Sequence, residues 1–220
     1  MVKIFITGFR HSGTTLLMQL LRAHPQVGWI EFEEGWIEYD KPKEWILMNA
    51  SRQVSDMKNY AWGEKIPWGH RESDVGAKRP IFMIRRWLKM FKNQARVLHI
   101  LRHPIDVALS GRGTSTEIPE KSWEFITTTV PKVIDFINTK PRCATVIYEE
   151  LVTKPEETLQ KIFDFCGLKS DKKTIQKILN KREKLKFRKI NADRAFAHKK
   201  KDVDIEIDYS KLIGRAKFLI

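Results

Sequence analysis

Eight residues near the start, Gly8-Phe9-Arg10-His11-Ser12-Gly13-Thr14-Thr15, carry the clearest chemical signal in the chain. Their spacing, G-x-x-x-x-G-T-T, follows a short apolar run and precedes a leucine-rich helical pattern. Glycines at such positions let the backbone curl until successive N–H groups converge on an anion. The N-terminus of the following helix adds partial positive charge. The chemistry is phosphate binding, and the alternative is a tight strand-to-helix turn with no ligand. Thr14 stands where a triphosphate-hydrolysing loop carries the lysine that reaches the β- and γ-phosphates. A later apolar run, Val97 to Leu101, ends in Arg102 rather than in an aspartate able to organise Mg²⁺. The usual equipment for triphosphate hydrolysis is therefore missing, while such a loop can still hold a phosphate already activated in another mixed anhydride. A nucleotide kinase would need both missing groups.

The elements that must position this loop follow from periodicity. Val2 to Thr7 reads as a buried strand. Leu16, Leu17, Leu20 and Leu21 share one face of a helix that stops near His24-Pro25. A second strand is expected around Val27 to Ile30. Residues 35–74 hold Trp36, Trp45, Trp62 and Trp68 without a clear period. They read as an inserted helical or loop region lying over the sheet. Its tryptophans would serve either to stack on a sugar or aromatic ring or to pack the core.

Ile81, Ile84, Leu88 and Phe91 make a helical stripe before a strand from Arg96 to Leu101. Pro104 opens a helix to about Gly111, another helix fills Glu120 to Ile137, and Ala144 to Tyr148 is a strand. The next helix has Thr153 as N-cap, Pro155 first, Glu156 and Glu157 in its first turn and Gly167 as its stop. Its buried face is Leu159, Ile162, Phe163 and Cys166. Asp202 to Asp208 alternates like a terminal strand. Strands alternating with helices predict an α/β fold: a mostly parallel central sheet, helices on both faces, ligand at the strands' carboxyl ends.

Composition narrows the function. The 220 residues are 42% hydrophobic and 31% charged, as in a globular domain. Cys143 and Cys166 are too few for a disulfide framework or a cysteine-built zinc site. No apolar run reaches the roughly 18 residues of a membrane span. The first residues do not read as a signal peptide, which makes the cytoplasm the expected location. The net charge of +14 is concentrated: Lys169 to Lys201 holds 14 Lys/Arg against three acids. Such a segment is either a solvated helical face or an attractor for something anionic, be it a phosphorylated or sulfated ligand, an acidic acceptor or nucleic acid.

Four stretches in order resemble the sulfotransferases that use 3′-phosphoadenosine 5′-phosphosulfate (PAPS). Arg10-His11-Ser12-Gly13-Thr14-Thr15-Leu16-Leu17 looks like that family's 5′-phosphosulfate loop. Lys78-Arg79-Pro80 is similar to its K-x-P. Leu101-Arg102-His103-Pro104-Ile105-Asp106-Val107-Ala108-Leu109-Ser110 resembles its R-x-P-x-D-V-x-x-S element, and Tyr148-Glu149-Glu150-Leu151 its Y-E-D-L. The resemblance covers roughly residues 1–168. It implies a single three-layer P-loop-like domain over 1–220, with 35–74 on the acceptor side and 169–220 as a basic C-terminal extension.

The resemblance also implies roles. PAPS would be the donor and 3′,5′-adenosine bisphosphate (PAP) the product, with no metal required. Arg10, His11, Ser12, Gly13, Thr14 and Thr15 would hold the 5′ end, Arg102 and Ser110 the 3′-phosphate, and Tyr148 the nucleotide. Lys78 would neutralise charge at the transferred group. The family has Lys or Arg directly before its S-G-T-T, where this chain has His11 preceded by Arg10, so either could be the loop's cation. The stretch His24 to Glu34 resembles the region where tyrosylprotein sulfotransferases carry a catalytic glutamate, and makes Glu31 and Glu33 the candidate bases. His70 and His99 are the lesser candidates. Arg188, Arg194 and Lys199 to Lys201 could close over the nucleotide. The acceptor would be a small molecule, a carbohydrate or a protein. The other functions in view are a nucleotide-binding relative without turnover and a P-loop nucleotide kinase. Nucleic acid is the disfavoured partner.

Overall fold

A computed structural model describes residues 1–32, 41–54, 60–68, 77–110, 125–184, 192–200 and 208–215. Its centre is a five-stranded sheet in the order β2-β3-β1-β4-β5 with every pair parallel. The strands are β1 Lys3–Phe9, β2 Val27–Phe32, β3 Ala61–Trp68, β4 Ala95–Leu101 and β5 Cys143–Ile147. The helices are α1 Thr14–Arg22, α2 Lys43–Gln53, α3 Lys78–Phe91, α4 Pro104–Ala108 and α5 Val130–Asn138. After β5 come α6 Tyr148–Thr153, α7 Pro155–Cys166, α8 Lys172–Lys184 and α9 Tyr209–Arg215.

The sheet divides the core into two layers because successive side chains of a strand point to opposite faces. Phe5, Trp62, Val97 and Ile147 pack with α3 and α5 on one face. Ile4, Ile6, Leu98 and Val146 pack with α1, α6 and α7 on the other. Leu16, Leu17, Leu20 and Leu21 are all buried in that second layer, each contributing roughly 1.5–3 kcal/mol of apolar transfer. Leu17→Ala there would cost about 2–5 kcal/mol. The three-layer arrangement is the one the alternation of periods predicts.

Three local readings differ. Part of the stretch 35–74 is sheet rather than a layer over it: β3 lies between β2 and β1. Its sequence, Ala-Trp-Gly-Glu-Lys-Ile-Pro-Trp, hides this, because a strand covered on both faces normally reads as an apolar run. Among the described residues the β2–β3 ladder runs to Phe32↔Lys65, and on its other side β3 continues in register with β1 to Phe9↔Trp68. Second, β5 stops at Ile147 and Tyr148 begins a helix. Third, Thr153 does not cap α7. Its hydroxyl donates to Glu149 O at 2.7 Å, closing α6, while Lys154 precedes Pro155. Gly167 ends α7 in the left-handed conformation as expected. The alternating stretch 202–207 and residues 120–124 lie outside the described residues.

Candidate active site

The topology fixes where to look. The chain leaves β1 for β2 on one side, and β4 returns on β1's other side. Ligands of open parallel sheets sit at the carboxyl ends beside such a reversal. The loop Gly8–Thr15 and the turn Leu101–Ser110 both leave the sheet there.

The loop is shaped by its own backbone. β1 continues through Phe9, two residues past the expected end. Ser12 N–H then donates to Phe9 O at 3.0 Å, and the Ser12 hydroxyl donates to the same oxygen at 2.6 Å. His11 has φ of 69° and Gly13 φ of 107°. Gly13 must be glycine for a second reason: a Cβ there would lie 2.5 Å from the Tyr148 ring. Thr14 opens α1, which directs its N-terminus at the curl. The His11 side chain is exposed and Arg10 is half-buried. Arg10 N–H donates to Trp68 O at 3.0 Å, tying the loop to the end of β3.

β3 brings a buried lysine against the loop. Lys65 is fully buried, and its Nζ donates to Thr15 Oγ1 at 3.3 Å. Lys78, by contrast, is exposed at the first position of α3. Among the described residues no hydrogen bond or ion pair joins it to the loop. The K-x-P spacing occurs twice, at Lys65-Ile66-Pro67 and at Lys78-Arg79-Pro80. The structure brings the first copy to the loop. The signal for Lys65 was thus present in the sequence but fell in a stretch read as an insertion. Beside it, Glu64 is also fully buried, and the register sets it opposite Glu31 of β2. Glu33 and His70 lie outside the described residues.

The turn after β4 is shaped by long-range contacts. Arg102 Nη1 donates to His11 O at 3.1 Å, and its Nη2 donates to Arg194 O at 3.2 Å. Its guanidinium lies 4.6 Å over the Tyr148 ring and 4.0 Å from Asp106 Oδ2. The ion pair with Asp106 is thus one of several contacts of this guanidinium. Arg102 Nε is buried without a hydrogen-bond partner. Burial raises the pKa of Tyr148, opposed by the charges of Arg102 and Arg194. Ser110 lies in a turn just beyond α4, which ends at Ala108, rather than two turns into a helix. Ser110 N–H donates to Val107 O at 3.2 Å.

Glu149 closes the back of this turn. Its Oε1 accepts His103 N–H at 2.9 Å and its Oε2 accepts the Tyr209 hydroxyl at 2.9 Å. Burial raises its pKa, against the pull of those donors. His99, on β4, is fully buried, and burial lowers its pKa to about 4. It stacks on Trp68 at 6.1 Å and lines a cavity with Phe9, Ser12, Arg102, Val107 and Val130. A neutral imidazole there is a weak proton acceptor.

Of the basic residues considered for covering the nucleotide, Arg194, Lys199 and Lys200 are among the described residues. Arg194 gives its carbonyl to Arg102, and Lys199 Nζ lies 5.0 Å over the Phe196 ring. Arg188 and Lys201 fall outside the described residues.

Residues 2–217 match the sulfotransferase domain family. The chain belongs to that family. A putative protein-tyrosine sulfotransferase of Caenorhabditis briggsae is 26% identical over 191 residues, 75% of this chain and 65% of that protein. The chain thus spans a little under two-thirds of that relative's length.

Among solved structures, the sulfotransferase domain of the Synechococcus PCC 7002 olefin synthase superposes with a TM-score of 0.60 at 18% identity, covering 98% of this chain and 93% of that one. The sulfotransferase domain from the curacin biosynthetic pathway gives 0.61 at 14% identity, covering 98% and 97%. A mouse sulfotransferase complexed with PAP gives 0.50 at 14% identity, covering 92% and 68%. These likenesses establish the P-loop-like α/β fold of the sulfotransferase domain. Among its described residues no helix is long and apolar enough to cross a membrane.

Proposed function

We propose that this sulfotransferase domain moves a sulfuryl group from PAPS to a hydroxyl or amine of an acceptor, releasing PAP. One observation carries the reading. At a single edge of the sheet, a curled Ser-Gly-Thr-Thr loop meets a buried lysine on Thr15 and an arginine on His11 O. The residues present fit the donor. The loop and the α1 N-terminus suit the 5′-phosphosulfate, Arg102 and Ser110 the 3′-phosphate, and the Tyr148 ring, packed on Gly13, the nucleotide.

The reaction is an in-line displacement at sulfur. The acceptor oxygen or nitrogen forms a bond to sulfur as the bond from sulfur to the bridging oxygen breaks, and the bridging oxygen keeps the electron pair. Lys65, the loop N–H groups and either Arg10 or His11 stabilise that growing charge, which matters most away from water. Lys78 has no part in this reading. The acceptor's proton passes to a carboxylate, Glu31 or Glu33. A tyrosyl hydroxyl, suggested by the name of the nematode relative, belongs among the acceptors to be tried, beside sugars and small alcohols.

Unfolding in the presence of PAP, ATP or an oligonucleotide tests the reading. A ligand bound only by the native state at 100 times its Kd adds about 2.7 kcal/mol. PAP is expected to raise the midpoint well above ATP at equal concentration. Equal shifts would return the loop to the kinase class, and a shift with oligonucleotide alone would return the basic extension to nucleic acid.

A further inference from the structure

The turn that carries Arg102 is fastened by residues far away in the chain. Tyr209, the first residue of α9, is buried, and its hydroxyl reaches Glu149 Oε2. The other oxygen of Glu149 takes the N–H of His103, the residue preceding α4 and following Arg102. One carboxylate therefore joins the C-terminal helix, α6 and the entry to α4. Three rings close round it. His103 and Tyr209 meet edge to face at 4.7 Å, Phe196 and His103 at 5.8 Å, and Phe196 and Tyr209 at 6.4 Å.

Phe196 has φ of 53°, a left-handed backbone that phenylalanine keeps only where its surroundings hold it. It sits in the segment 192–200 that crosses the turn. There Arg194 O accepts from Arg102, and Ala197 N–H donates to Asp106 Oδ2 at 3.2 Å. Arg102 thus points where this crossing segment lets it point, and the crossing segment is held by the rings around Tyr209.

We propose that Tyr209 is a positioning residue for the nucleotide's 3′-phosphate: through Glu149 and His103 it fixes the Arg102 turn, and through Phe196 the segment that covers it. The proposal rests on the reading of Arg102 as the 3′-phosphate ligand. It makes the C-terminal helix a determinant of discrimination between PAP and AMP without touching either.

The test is Tyr209→Phe in the full chain, with Kd measured by calorimetry for PAP and for AMP, which lacks the 3′-phosphate. Loss of one directed hydrogen bond is expected to weaken PAP roughly tenfold and to leave AMP within about twofold. Ile213→Ala, on the same helix and packed against the same core, serves as the control for loosened packing. It is expected to lower thermal stability while keeping the PAP preference. Hydrogen exchange without nucleotide supplies a second readout: the amides of His103 and Ala197 should exchange faster in Tyr209→Phe than in Ile213→Ala. An unchanged PAP preference in Tyr209→Phe, an equal loss for both nucleotides, or equal exchange in the two variants overturns the proposal. A wild-type chain with no preference for PAP overturns instead the reading of Arg102, and is recognised before any variant is made.

Discussion

The loop after β1 and the turn after β4 leave the same carboxyl end of the sheet, and the proposed function gives them the two ends of one nucleotide, yet they are built by opposite means. The loop is local. Ser12 closes it onto Phe9, three residues away, and Gly13 supplies the one backbone angle that starts α1. The turn is remote. His103 is held by Glu149, Asp106 by Ala197, and Arg102 by His11 and Arg194. A site assembled this way has one half whose curl is closed by near neighbours in the chain and one half whose contacts come largely from the C-terminal residues. Nucleotide binding should therefore fail differently when each half is damaged.

The largest effect is expected on the loop's side. Lys65→Ala should lower the single-turnover rate by about 10²–10³, as for other groups that stabilise charge developing in a transition state. Lys78→Ala should leave the rate within about twofold. Single-turnover measurement keeps product release from masking chemistry. A large loss with Lys78→Ala and none with Lys65→Ala would reverse the assignment.

His99, on the strand that leads into the turn, gives the next effect, on stability. Its pKa falls from an ordinary 6.5 to about 4 on folding. The unfolded chain therefore binds the extra proton between those values. The stabilisation is complete above about pH 6.5 and is lost as pH falls through about 4. The shift amounts to about 3 kcal/mol. Denaturant unfolding across this range should show that slope, and His99→Gln should flatten it.

A smaller effect belongs to the turn. Arg102→Ala removes a charged hydrogen-bond donor, which typically costs ~1.5–3 kcal/mol, or roughly 10- to 150-fold in affinity for PAP. Affinity for AMP should change little. Equal losses for both nucleotides in calorimetry would mean that Arg102 supports the loop through His11 O rather than binding phosphate.

The smallest effect distinguishes the loop's two cations. If His11 serves, His11→Ala should be the damaging change and His11→Lys should keep the rate. If Arg10 serves, Arg10→Ala should be the damaging change and His11→Ala nearly silent. The comparison is made on single-turnover rates at one pH. Unchanged rates in both alanine variants would leave Lys65 and the loop N–H groups as the stabilisers.

The sequence by itself determined the sheet's parallel character, the phosphate loop, the stop at Gly167 and the arginine at the end of β4. Each of these depends on neighbours in the chain: an apolar run, a helical period, a glycine at a required φ. Tertiary structure alone decided that β3 is a sheet strand. Its Glu64 and Lys65 read as polar surface until β1, β2 and both helical layers bury them. The same burial promotes Lys65 over Lys78, because two copies of one three-residue pattern differ only in where the sheet carries them. Glu149 and Tyr209 lie 60 residues apart, and no local propensity reports on a pair that far separated. Their meeting is fixed by the packing of α9 on the core beside α5, which the sequence of neither residue encodes alone.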